Sequence, residues 1–376
     1  MSQVGTSTLP QQGAGQIRIE AEVLTEFVIR ALTSFGLREE DATTVADVLV
    51  TTDTWGTFSH GTNHLHNYCR KIKAGGIDAK AQPEIVNEGL AWARIDGHGA
   101  IGMVPAHFGM KTAVAKARAA GIGFATVSGG GHFGAAGYYA NLAAQEGMIG
   151  IAMSNSDPNM TVPGGRGHVI GNNPFSYAIP NGDEPPIFLD IALSVVAASK
   201  VLSAKKRGES IPADWIVDGD GIATTDTGGY PETGSLQPMG GHKGYGLAFM
   251  IEAIAGALSG AALVQEVPSW LFHLASRPNL GHAFIAINVE AMMPASEFAE
   301  RTKRAAMLIR EAPRAKGADR IYLPGEMEWQ RRKDALRYGI SLPVNVIADL
   351  KQLAAEIGTN PDELFEQGAQ GKRDGN

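Results

Sequence analysis

Four short segments of this chain set a proton-active, cationic or amide side chain among glycines: Ser59-His60-Gly61, Gly131-His132-Phe133-Gly134, Gly171-Asn172-Asn173-Pro174 and Pro238-Met239-Gly240-Gly241-His242-Lys243-Gly244. Glycine lets backbone approach a ligand closely, so a pocket assembled from several distant loops is the implied design. A histidine titrating near neutrality, such as His60, can give a proton to a carbonyl oxygen as hydride arrives and take it back in the reverse direction. Ser59 is placed to orient its ring. The plain alternative is a turn histidine that caps or packs. A second chemistry also competes, because His60 and His64 stand four residues apart and would share a helix face, with His66 nearby. That spacing opens the reading of a metallohydrolase using His60, His64 and a distant carboxylate. The Glu of an HExxH motif is missing, however, since Gly61 follows His60.

Gly129 to Gly134 meets the GxGxxG spacing between an expected strand and an expected helix, the context of a dinucleotide fingerprint. Against that reading, the next strand runs into Ser154-Asn155-Ser156-Asp157 with no clear ribose-binding acid, and a bulky imidazole sits inside the loop. A tight turn that needs glycine is the alternative, with helix-start amides still able to receive an anion. Asn172 and Asn173 present carboxamides for a substrate or a nicotinamide, or make a simple Asx turn. Lys243, among Gly240, Gly241, Gly244 and Gly246 before an apolar helix, fits an anion cradle, because a bare cation there opposes the helix dipole.

The elements that must position these groups alternate. Apolar residues recur at helical spacing from Glu20 to Leu49, interrupted at Gly36. Strands are expected at Ala91–Asp96, Gly123–Ser128, Ile149–Ser154, Ser176–Ile179, Ile187–Ile191 and Ala283–Val289. Helices are expected at Met103–Ala120, Ala135–Glu146, Val195–Lys206, Gly244–Ala257, Ala299–Ala312 and Val344–Ile357. The class is therefore α/β. Asp214 to Gly241 reads as one long loop of the kind that is commonly functional, and residues 1–16 and 368–376 read as flexible ends.

Across 376 residues, 44% are hydrophobic and 19% charged, which suits a globular protein with a sizeable core. A formal charge of −7, from 32 Lys plus Arg against 39 Asp plus Glu, favours neither nucleic acid nor an anionic membrane surface. Cys69 is the single cysteine, which excludes an intrachain disulfide framework and fits a reducing cytoplasm. No run is long enough to span a membrane, and the start of the chain lacks the features of a signal peptide.

In combination, Ser59-His60-Gly61, Asp96-Gly97-His98-Gly99-Ala100-Ile101-Gly102, Gly131 to Gly134 with Gly137-Tyr138-Tyr139, Ile170 to Pro174, Leu189-Asp190-Ile191-Ala192, Pro238 to Gly246 and Leu323-Pro324-Gly325-Glu326 resemble the non-Rossmann malate/L-lactate dehydrogenase family. That family includes diketogulonate reductase, sulfolactate and ureidoglycolate dehydrogenases, and piperideine-2-carboxylate reductase. The resemblance spans roughly residues 20 to 345. It implies NAD or NADP bound outside a Rossmann topology, a homodimer, and a mixed-sheet cofactor domain (87–298) beside a helical domain built from both chain ends (17–86 with 299–367). It implies His60 as proton donor and no catalytic metal. The cofactor contacts it implies are His132, Asn172, Pro186, Ile187, Phe188, Leu189, Asp190, Ile191, Ala192, His242, Lys243, Gly325, Glu326 and Met327. Ser59, His64, Arg166 and Asn173 are expected at the substrate. One departure stands out: many members carry Arg four residues after the histidine, suited to a substrate carboxylate, and this chain has His64. Either protonated His64 or Arg166 would then take the carboxylate. Trp55, where Arg is also frequent, is either a wall favouring a larger, less polar substrate or a core residue.

Overall fold

The computed structural model describes residues 17–361 and 364–365; the expected flexible ends over 1–16 and 368–376 lie outside them. Helices α1 (Ala21–Ser34) and α2 (Glu39–Thr54) form on either side of Gly36, whose φ of 93° ends the first. They bury the periodic faces carried by Leu24, Phe27, Val28, Ala31 and Leu32 and by Val45, Ala46 and Leu49. Two short 3₁₀ turns, Phe58–His60 and Thr62–His64, then lead into α3 (Leu65–Ala74).

Six strands and two helices follow in near alternation: β1 (Glu84–Glu88), β2 (Trp92–Asp96), α4 (Met103–Ala120), β3 (Ile122–Gly130), α5 (Ala136–Gln145), β4 (Met148–Ser154), β5 (Phe175–Asn181) and β6 (Glu184–Ile191). After α6 (Ala198–Arg207), the segment expected as one long loop contains three two-residue strands, β7 (Ile216–Val217), β8 (Ala223–Thr224) and β9 (Ser235–Leu236), in a small sheet of their own. Helix α7 (His242–Ile251) runs on into a π-helical turn, Glu252–Ala257, and β10 (Leu280–Asn288) follows. The chain closes with α8 (Ala295–Arg310), α9 (Glu326–Tyr338) and α10 (Val344–Glu356).

The main sheet has the order β1-β2-β3-β10-β4-β5-β6. Only β2 and β3 run parallel; every other neighbouring pair is antiparallel. A Rossmann domain needs successive parallel strands joined by helical crossovers, so the mixed, non-Rossmann sheet is the architecture observed. The GxGxxG spacing is a turn from β3 into α5, with β10 lying between β3 and β4. The two chain ends meet: Ile19 and Ile340 exchange backbone hydrogen bonds of 3.0 and 2.7 Å, and Arg332 donates to Thr54 Oγ1 at 2.7 Å. The boundary expected at residue 86 falls inside β1, which pairs with β2. A single buried apolar cluster runs from α1, α2 and α10 into α4, α5 and the sheet, and a second fills the space around α6, α7 and the small sheet. Among the described residues no helix is long and apolar enough to cross a membrane.

Candidate active site

The Ser-His-Gly segment is shaped from behind by a buried carboxylate. Asp53, 1% exposed near the end of α2, accepts hydrogen bonds from the Thr62 backbone N–H at 3.0 Å and from Thr62 Oγ1 at 2.6 Å through Oδ2. Its Oδ1 has no partner among the described residues and lies so close to Gly61 that any Cβ there would collide with it. Burial pushes the Asp53 carboxyl up to about 7, with the Thr62 bonds acting in the opposite direction. The glycine after His60 is thus required by close approach, and Asp53, absent from the sequence expectations, is the reason. Ser59 Oγ stands 2.9 Å from His60 Nδ1, the contact that fixes the ring.

Around His60 the rings form one cluster. His132 is stacked 5.7 Å from His60, with centroids as the reference points, and His64 is edge-on to His132 at 5.8 Å. Tyr68 Oη lies 2.6 Å from His132 Nδ1. Trp270, from the segment before β10, lies flat on His132 at 4.0 Å and 8° and meets His64 edge-on at 4.8 Å. His60, His64 and His132 each keep part of their surface in contact with solvent. Enclosure by protein nevertheless lowers all three below the ordinary value: His60 through burial alone, His64 to about 4 through burial and then its neighbour His60, and His132 well below through burial and then the other histidines. The cluster is therefore neutral at neutral pH.

Several expected ligand groups are used inside the protein. Asn173, expected at the substrate, is fully buried: its Nδ2 donates to Glu252 Oε2 and Ala248 O at 2.9 Å each, and its Oδ1 accepts from the Ser156 N–H at 3.0 Å. Its carboxamide is a strut tying the Gly-Asn-Asn-Pro turn to the π-helical turn. Asn172 is half-buried, with Oδ1 accepting from Ser156 Oγ at 3.2 Å. His64, expected to carry positive charge to a substrate carboxylate, is pushed down to about 4 by burial and then by its neighbour His60, so in these surroundings it is neutral at neutral pH. Arg166 is largely exposed, 3.7 Å from Asp220, and lines a cleft of about 540 Å³ with Thr161, Pro238 and Gly241; none of the clustered rings is among that cleft's lining residues. Trp55 is a core residue, 2% exposed and packed on Phe188 at 5.0 Å and Trp329 at 5.8 Å.

The helix start after GxGxxG, expected to be free for an anion, receives the protein's own Asp190: Gly137 N–H donates to Asp190 Oδ2 at 2.8 Å, and burial raises that carboxyl to about 6. Asp190 belongs to β6, whose segment Pro186–Ala192 forms one wall with the Pro-Gly-Glu turn. Phe188 N–H donates to Pro324 O at 3.3 Å, Trp329 Nε1 donates to Pro186 O at 2.7 Å, and a Cβ on Gly325 would strike the Phe188 ring. The Phe188 ring itself is buried against Trp55 and Trp329, which leaves no side-chain surface for the cofactor contact expected of it. Ile187, Leu189, Ile191 and Ala192 remain half-exposed. Glu326 accepts from Leu323 N–H at 3.0 Å and pairs with Arg310 and Arg320, while Met327 is half-buried beside it. At α7, His242 and Lys243 are exposed, and Gly240 and Gly241 have φ of 60° and 63°. Space around Gly241 is open.

The helix face required by the metallohydrolase reading does not form, because Gly61, at φ −93° and ψ −144°, separates the turn ending in His60 from the turn ending in His64. Among the described residues no group of three His, Cys, Asp or Glu side chains is arranged to hold a metal ion.

The family model described as malate/L-lactate dehydrogenase matches residues 19–351. A malate dehydrogenase of Pyrococcus abyssi is 36% identical over 93% of this chain and 97% of its own length. A ureidoglycolate dehydrogenase (NAD(+)) of Escherichia coli K12 is 33% identical over 87% and 93%. The solved structure of sulfolactate dehydrogenase from Methanocaldococcus jannaschii superposes with a TM-score of 0.86 at 34% identity, covering 92% of this chain and 99% of that one. A mixed sheet that departs from Rossmann order, histidines gathered from distant loops and a match along almost the whole chain lead to one conclusion: this protein belongs to the malate/L-lactate dehydrogenase family and is an oxidoreductase acting on 2-hydroxy acids or their relatives.

Proposed function

We propose that the chain interconverts a 2-hydroxy acid, or a related hydroxy or cyclic imino acid, with its 2-oxo or imine form, using NAD or NADP, with His60 as proton donor and acceptor. The observation that carries this reading is the Ser59–His60 pair: Nδ1 is held at 2.9 Å by Ser59 Oγ, and Nε2 has no hydrogen-bond partner among the described residues. A ring fixed at one nitrogen and open at the other can exchange a proton in one defined direction. Asp53 and Gly61 hold the turn that carries it.

The residues present fit a nicotinamide dinucleotide. The half-buried residues Ile187, Leu189, Ile191 and Ala192 beside the Pro-Gly-Glu turn offer an edge, and the start of α7 offers a phosphate the exposed Lys243 and the His242 N–H, which has no acceptor among the described residues, whereas the Gly241 N–H is already given to Pro238 O. The bound nicotinamide supplies or accepts hydride. His60 meanwhile gives the proton to the substrate oxygen or nitrogen on reduction and removes it on oxidation. Neutral His60 is ready as the base; as the acid it must first be protonated. Reductive kcat/KM is therefore expected to be flat at low pH and to fall as pH rises past the His60 pKa, which burial places below 6.5, and the oxidative rate should show the opposite dependence. His60→Ala is expected to lower kcat about 100- to 10,000-fold with the cofactor Kd unchanged. Near-normal kcat in the folded variant would remove His60 from the chemistry.

We extend the reading to a homodimer in the cytoplasm. Leu247, Phe249, Met250 and Leu258 are exposed together along α7 and its continuation, an apolar face suited to a second copy. Phe249→Glu should shift the mass measured by sedimentation toward a monomer if that face carries the dimer.

A further inference from the structure

The site has a lid-like wall that none of the sequence motifs announces. Trp270 is 8% exposed, although the residues that follow it, Leu271 and Phe272, are 39% and 76% exposed. Its ring is driven inward, and it lands flat on His132 and edge-on to His64. Two anchors hold the segment in place. On one side Lys71, 2% exposed on α3, donates to the carbonyl oxygens of His273 at 2.9 Å, Ser276 at 3.0 Å and Leu274 at 3.4 Å. Gly76 lies so close beneath that a Cβ would collide with the Leu274 carbonyl. On the other side Asn279 Oδ1 accepts from the Gly129 N–H at 2.7 Å. Lys71 has no carboxylate partner among the described residues, so its buried ammonium is satisfied by the backbone of this one segment. Three charge-assisted bonds from a single rigid helix are a strong and directional clamp.

The groups that surround this corner are Trp270, Tyr68, His64 and His132. A second carboxylate on the substrate, pressed here, would lose its water against aromatic faces and imidazoles, while the nearby Lys71 ammonium is already taken up by three backbone carbonyls. A flat apolar or cyclic end would instead stack.

We propose that Trp270 is a specificity-determining residue, that Lys71 is the positioning residue which holds it over the histidines, and that together they select 2-oxo or cyclic imino acids with an apolar or ring-shaped remote end over dicarboxylates. This rests on the oxidoreductase reading given above and adds the substrate class to it.

The test compares kcat/KM for oxaloacetate, pyruvate, phenylpyruvate and the cyclic imine Δ1-piperideine-2-carboxylate, each with NADH and NADPH. Phenylpyruvate or the cyclic imine is expected to exceed oxaloacetate by about tenfold or more, the scale on which an apolar pocket discriminates. Trp270→Ala should bring the ratio close to one mainly by raising KM for the apolar substrate, and Trp270→Phe, which keeps a ring, should retain most of it. Lys71→Met should raise KM for the apolar substrate with kcat and the KM for pyruvate little changed, a split that general loss of stability does not produce. If Trp270→Ala fails to fold, the ratio for Trp270→Phe and Lys71→Met decides. Preference of the native enzyme for oxaloacetate, or an unchanged ratio in the variants, overturns the proposal while leaving the hydride chemistry standing. Absence of NAD(P)H turnover with all four substrates overturns the 2-oxo and imino acid reading given above and this inference with it.

Discussion

Two glycine-flanked segments of the same protein use glycine for opposite reasons. At Gly61 the residue is pressed by Asp53 Oδ1 from the protein side, and any side chain would collide. At Gly241 nothing approaches within 4 Å of where a Cβ would be, yet φ is 63°. The first glycine exists because the interior is full, and the second because the backbone must turn beside open space. A motif in which glycine is forced by packing marks a group held with precision from behind; one in which glycine faces emptiness marks room for something to arrive.

The largest effect that would test this contrast is expected at Gly61→Ala. The new methyl must displace Asp53 or the turn carrying His60, so a loss of several kcal/mol of stability, in the range of overpacking and worse, is expected together with a collapse of kcat. Thermal melts and single-turnover rates check it, and a stable, active Gly61→Ala enzyme would end the claim that Asp53 dictates this turn.

Asp53→Asn comes next. With its carboxyl at about 7 in the folded protein against an ordinary 3.8, native Asp53 holds a proton through a range where the unfolded chain has released it. Its contribution to stability is thus fully present below about pH 3.8 and declines as pH rises toward 7. The Asn variant should lose that part of the pH dependence, so its Tm should gain on the native protein's between pH 4 and 8. Parallel Tm curves over that span would show that Asp53 does not titrate there.

The smallest effects belong to the open segment. Gly241→Ala costs backbone strain of roughly 1–3 kcal/mol at a φ of 63° and ψ of −116° but meets no neighbour. Lys243→Ala should raise the cofactor Kd by about tenfold at low salt and less at high salt, with kcat nearly intact. Titration of NADH fluorescence separates the two outcomes. An unchanged Kd for Lys243→Ala reduces that lysine to a surface charge and removes the anion from the open side of the comparison.

Much of the fold was legible wherever period and length agreed. Met103–Ala120 forms the helix that its apolar spacing predicts, and β3, β4 and α5 lie within two residues of expectation. Elements with little buried surface were not legible. β1 is a polar edge strand whose Glu84, Asn87 and Glu88 are exposed, and α9 has no fully buried residue, so neither carries a period to read. The strands β7 to β9 are two residues each, too short for alternation to appear. At the site, glycine flags pointed to His60 and His132, and the structure gathers those rings. They could not reveal Asp53 or Trp270, because what matters there is a collision or a stacking between segments remote in sequence. Asn173 shows the converse error: two adjacent carboxamides invite a ligand, but a buried Glu252 had already claimed one of them.

The position of β10 has a consequence for how the protein is made. β3 and β4 are both complete by residue 154, but the strand that must lie between them ends at Asn288. During synthesis the two strands therefore emerge with facing edges unpaired, and their partner follows on the order of ten seconds later at ordinary elongation rates. For that interval two apolar strands expose hydrogen-bonding edges, the state in which chains capture one another. Helices α4 and α5, which pack on β3 and β4, can cover one face of those strands but not the gap between them. The centre of the sheet is thus closed only once β10 has been made, and a chain stalled before residue 280 keeps those two edges unpaired.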